Sequence, residues 1–163
     1  MKRTIWLAVG FTFFGCSDGG SRDSAEQSTP ATATGEVAVA TGLIDPNSAT
    51  REQVLSTPGM TEGAGEALLS GRPYDDMLEV DRVLAQHLNE QQRDSVYAQL
   101  WRPLDLNTAT GDEILLIPGV GARMRHEFEE YRPYTSIAQF RREIGKYVDD
   151  DEVARLEQYV TIR

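Results

Sequence analysis

The residues best suited to chemistry lie in one short stretch, Ile117-Pro118-Gly119-Val120-Gly121. Glycine accepts φ > 0 and has no Cβ, so a turn built on Gly119 and Gly121 leaves amide edges uncovered for an anion such as phosphate. Val120, between them, is small enough to plug into a core. The flanking runs, Asp112 to Leu116 and Ala122 to Tyr131, read as helices. A helix that starts at the turn adds unpaired N–H groups and a positive dipole end. Arg123 and Arg125 follow closely and supply positive charge. The chemistry expected here is the holding of a phosphate by amides and arginines, with no bond made or broken.

Other reactive groupings are missing from the sequence. His87 and His126 have no metal-ligand spacing to each other or to the single cysteine, so no metal site is expected. The acidic run Asp149 to Glu152 has no EF-hand pattern around it and reads as a solvated, helix-capping face. There is no nucleophile motif and no phosphate loop of the nucleotide-binding kind. The chain therefore reads as a non-enzyme without a cofactor.

Charge narrows the partners. The 163 residues carry 16 basic and 26 acidic side chains, a net charge of −10. Attraction of the whole chain to nucleic acid or anionic lipid is excluded, and any phosphate binding has to be local. Residues 43–102 hold 5 basic and 10 acidic side chains, and residues 103–163 hold 8 and 12. A local basic cluster would have to come from Arg123, Arg125, Arg132, Arg141, Arg142 and Lys146.

The N-terminus has the proportions of a signal peptide, residues 1–15. Lys2 and Arg3 precede an apolar run from Ile5 to Phe14 that is short for a membrane span. It ends at Phe13-Phe14-Gly15-Cys16, which resembles a bacterial lipoprotein lipobox, with Phe13 where leucine is usual. The resemblance implies lipidation of Cys16 and membrane attachment through that lipid. Ser17 stands where aspartate marks inner-membrane retention, so the resemblance implies an outer-membrane lipoprotein facing the periplasm. Residues 16–42, rich in Ser, Thr, Gly and Ala, then read as a disordered tether.

The remainder is a duplication. Shifted by 60 residues without a gap, Asp45, Asn47, Ala49, Thr50, Leu55, Pro58, Gly59, Arg72, Pro73 and Tyr74 meet identical residues from Asp105 to Tyr134. The units are 43–102 and 103–163. Capping-box spacings at Thr50/Gln53, Asp76/Glu79 and Asn89/Gln92 recur at Thr110/Glu113, Ser136/Gln139 and Asp149/Glu152. Arg-Pro-Tyr at 72–74 and 132–134 should stop the preceding helix. The spacing predicts an all-α chain with about four short helices per unit, starting near 51, 62, 77 and 90 and near 111, 122, 137 and 150. Val120, Met124, Phe128 and Tyr131 form an apolar stripe, and Val153, Leu156 and Val160 line the last helix. Strands have little support. A unit of this size is near the lower limit for folding alone, so the units should pack together, with Trp101 at their junction.

Leu106-Asn107-Thr108-Ala109-Thr110, Glu113, Ile117 to Gly121 and Tyr131-Arg132-Pro133-Tyr134 together resemble the helix-hairpin-helix module of the competence DNA-receptor (ComEA-like) family. Residues 103–163 match well, and residues 43–102 form a degenerate copy. The resemblance implies two tandem helix-hairpin-helix modules that bind double-stranded DNA by phosphate geometry rather than base sequence. It places Gly119, Val120, Gly121, Arg123 and Arg125 on the DNA backbone. The other three turns depart from the pattern. Thr61 replaces the second glycine in Pro58-Gly59-Met60-Thr61, Gly145-Lys146-Tyr147-Val148 runs into acids, and His87-Leu88-Asn89-Glu90 has no glycine. Two functions of different kind follow: weak, sequence-independent DNA binding through 117–121, or a structural or protein-interaction lipoprotein that has lost DNA binding.

Overall fold

Helix starts follow the capping residues. The computed structural model describes residues 42–163, so the signal peptide, Cys16 and all but the last residue of the tether lie outside the described residues. The helices are α1 (Arg51–Ser56), α2 (Glu62–Ser70), α3 (Met77–Leu84), α4 (Glu90–Tyr97), α5 (Gly111–Leu115), α6 (Ala122–Glu130), α7 (Ile137–Ile144) and α8 (Asp150–Glu157). All eight begin at the expected positions, six of them directly after the capping residues that the sequence pattern marks. The described residues are mostly helical, as expected. Among the described residues no helix is long and apolar enough to cross a membrane.

One feature departs from a purely helical chain. β1 (Leu104–Asp105) pairs in parallel with β2 (Val160–Thr161), in the register Leu104↔Val160 and Asp105↔Thr161. Sixty residues earlier, Ile44 bridges Leu100 in the same sense. Each repeat is thus closed by its own first and last residues. Two-residue strands carry no alternation to read, and their partners lie far apart in sequence, which is why periodicity misses them.

Several of the residues identical between repeats bond to the main chain or take unusual backbone angles. Asp45 Oδ1 accepts from the Asn47 N–H at 2.7 Å, and Asp105 Oδ1 accepts from that of Asn107 at 3.1 Å. The Asn47 side-chain amide donates to the Tyr74 carbonyl at 2.9 Å, and its oxygen accepts from the Tyr74 N–H at 2.8 Å. Asn107 and Tyr134 repeat the exchange at 3.0 and 2.7 Å. These pairs pin the start of each repeat to the segment that leaves its second helix. That segment carries the Arg-Pro-Tyr, with both Arg–Pro bonds cis, and α2 and α6 stop just before it.

Val54, Ala64, Leu68, Val80 and Leu84 are buried in the first repeat, and Ile114, Val120, Phe128, Phe140 and Leu156 in the second. Met124 and Tyr131 are partly buried against the same core. One cluster spans both repeats, and α3 packs against α5. Trp101 sits at the junction, fully buried, in edge-to-face contact with Tyr97 at 5.8 Å and Tyr159 at 5.2 Å. Its indole N–H donates to the Tyr159 carbonyl at 3.0 Å. It is a packing residue.

Candidate phosphate-binding turn

Between α5 and α6 the chain reverses on Gly119, whose φ is +81°. Ile117 and Val120 point inward and are buried. The Val120 N–H donates to the Ile117 carbonyl at 2.9 Å, so Val120 shapes the turn and its amide is already used. Gly121 is exposed and is the N-cap of α6. The amide that a side-chain cap would bind, the Met124 N–H three residues past Gly121, has no acceptor among the described residues, and neither have those of Gly121, Ala122 and Arg123. Every other helix has a side-chain cap: Thr50, Thr61, Asp76, Asn89, Thr110, Ser136 and Asp149 each accept a first-turn N–H. The α6 terminus thus keeps its donors and its positive end toward solvent.

The matching turn of the first repeat is closed. Gly59 has φ +85°, yet a Cβ built there would lie 2.5 Å from the Gln92 carbonyl and 3.0 Å from the Ser95 Cβ. The first turn therefore presses against α4. Thr61 accepts from the Ala64 N–H at 3.3 Å and so occupies an amide that Gly121 leaves open in the second repeat. Beyond it, Glu66 binds the Arg51 guanidinium at 2.6 Å. A Cβ on Gly119, by contrast, would meet only Arg155 Nη2, at 3.4 Å.

The two arginines expected at the site are placed differently. Arg123 is exposed and forms no ion pair among the described residues. Arg125 lies along Gly111, where an added Cβ would meet its Cδ at 3.1 Å, and its Nε is 3.7 Å from Glu129. It lies against the start of α5. Gly119, Gly121 and Arg123 are all exposed, and the structure sets a further cation, Arg155, beside Gly119, which sequence proximity does not show. The signal for Arg155 was the repeat offset: its counterpart is Ser95, the residue that packs on Gly59.

The wider set of cations does not gather at the turn. Arg141 chelates Glu157 with two bonds of 2.6 Å. Arg142 lies 2.8 Å from Glu143, and Lys146 pairs with the same carboxylate while resting over the Tyr131 ring at 4.8 Å. Arg132 donates to the Ala109 carbonyl at 2.7 Å. Lys146 holds the Glu143 carboxyl below the usual glutamate range, with Arg142 adding to the effect. The second hairpin of this repeat is exposed but its helix start is capped, Asp149 accepting from the Glu152 N–H at 2.9 Å. The acidic run is a capping and solvated face.

Both histidines are exposed, and His126 lies 3.6 Å from Glu130. Among the described residues no group of His, Cys, Asp or Glu is arranged to hold a metal. No family model, curated protein or solved structure matches the chain.

Proposed function

We propose that the protein is a non-enzymatic lipoprotein, anchored through Cys16 to the outer membrane and facing the periplasm. In this reading, residues 43–102 and 103–163 are two tandem helix-hairpin-helix modules, the first degenerate. The turn at 117–121 holds the backbone of double-stranded DNA weakly and without reading its sequence. The observation that carries this reading is the open start of α6: among the described residues it is the one helix without a side-chain cap, and it begins beside an exposed glycine turn with Arg123 next in sequence. Backbone amides and a single arginine contact phosphate oxygens but distinguish no base.

A second reading is supported by the pairing of cations with carboxylates. With Arg125, Arg141, Arg142, Lys146 and Arg155 all facing acids, little free positive charge remains, as suits a structural or protein-interaction lipoprotein. Titration with a short duplex across salt concentrations separates the two. DNA binding predicts affinity that falls with salt, and Arg123→Ala should lower the log–log slope by about 0.9, the value for one phosphate contact. No binding at low salt would leave the protein-interaction reading. Labelling with a radioactive fatty acid tests the anchor: incorporation should occur in the wild type and vanish in Cys16→Ala.

A further inference from the structure

The turn at Gly119 has a neighbour from the far end of the chain. Arg155, on α8, is the one residue that a Cβ on Gly119 would meet, through Nη2 at 3.4 Å. Its guanidinium is fixed from two directions. Nε and Nη2 donate to the two Glu152 carboxylate oxygens, each at 2.7 Å, and Cζ lies 5.5 Å from the centre of the Tyr159 ring. The chelate uses two of about five N–H donors on a guanidinium. The side chain is 34% exposed, and Nη2, the atom nearest the turn, carries a second N–H beyond the one bonded to Glu152. Sixty residues earlier the position is Ser95, packed on the closed turn of the first repeat, and no cation replaces it there.

We propose that Arg155 is a phosphate-binding residue of the Gly119 turn, supplied by α8, and that Glu152 both orients it and competes for it. The inference rests on the reading of this turn as a DNA contact. It changes what the site is. A phosphodiester is gripped from two helices, by α6 through its amides and Arg123 and by α8 through a pre-oriented planar fork. Such a fork suits the two non-bridging oxygens of a phosphodiester better than a point charge does. Arg155 thus adds a second guanidinium beside the open turn, one whose charge Glu152 balances until a phosphate displaces that carboxylate.

The test uses the full chain in detergent micelles, with a fluorescent short duplex as probe and salt as the variable. Arg155→Ala should weaken binding about tenfold at low salt and lower the log–log slope by about 0.9. Arg82→Ala removes an exposed arginine of the first repeat and should leave the slope unchanged. Glu152→Gln keeps Arg155 while removing its competitor, and should bind more tightly than the charge-matched Asp94→Asn, an exposed position on α4. That comparison decides the matter should Arg155→Ala fail to fold. Suppose the wild type binds and Arg123→Ala weakens it, while Arg155→Ala behaves like Arg82→Ala or Glu152→Gln like Asp94→Asn. Then the role of Arg155 is overturned and the DNA reading stands. If the wild type binds no duplex at low salt, both fall together.

Discussion

Gly59 and Gly119 take the same left-handed backbone angle in different surroundings. For a residue with a side chain that angle costs about 1–2 kcal/mol. At Gly59 a Cβ would also lie 2.5 Å from the Gln92 carbonyl, whereas at Gly119 it would reach only the tip of Arg155 at 3.4 Å. Gly59→Ala is therefore expected to destabilise more than Gly119→Ala, as read by urea denaturation of the two variants. Equal losses would contradict the packing of the first turn on α4. Charge gives a second prediction at this scale. Lys146 and Arg142 lower the Glu143 carboxyl below the ordinary value of 4.5. A carboxyl lowered by folding stabilises above its unfolded value and loses that contribution as pH falls through the folded one. The difference in Tm between the wild type and Glu143→Gln should be greatest near neutral pH and shrink as the solution is acidified below about 4.5. A difference that grows with acid would reverse the sign of this interaction.

Capping decides both where the helices begin and which helix end stays open. Thr110 and Glu113 form a reciprocal capping box at α5, with bonds of 2.7 and 3.2 Å. Thr110→Ala should cost about 1 kcal/mol, measurable by chemical denaturation. α6 presents the opposite case. Gly121→Ser would supply the cap that its seven companions have, raising stability by a few tenths of a kcal/mol. It would also occupy an amide that the proposed site uses. Higher stability with weaker duplex binding is the expected outcome. Higher stability with unchanged binding would show that the α6 amides do not touch phosphate. The capping motifs were legible in sequence because each lies within a few residues and uses a fixed spacing. The orientation of Arg125 was not, because it depends on Glu129 and on the room beside Gly111, which a neighbouring helix sets.

At the scale of the molecule, the repeats share a core and are joined through Trp101. Its ring contacts Tyr97 in one repeat and Tyr159 in the other, and its N–H bonds to the second repeat's main chain. Trp101→Ala should cost about 3–5 kcal/mol. Because that loss falls on contacts belonging to both repeats, the wild type should unfold in one cooperative transition seen alike by fluorescence and circular dichroism. Two separated transitions in the wild type would contradict a shared core.

The sequence alone determined the eight helix starts, the duplication and the inward-facing residues, because caps, proline stops and apolar stripes are local and act within a turn or two of helix. It also marked Ile117 to Gly121 as the turn with both glycines. The tertiary structure decided what lies against each glycine turn, since α4 packs on Gly59 while α8 sets only the tip of Arg155 beside Gly119. It decided as well which cations are matched by carboxylates, and that Arg155 lies beside Gly119. Pairing and exposure depend on residues distant in sequence and brought together by packing, and no local pattern encodes them.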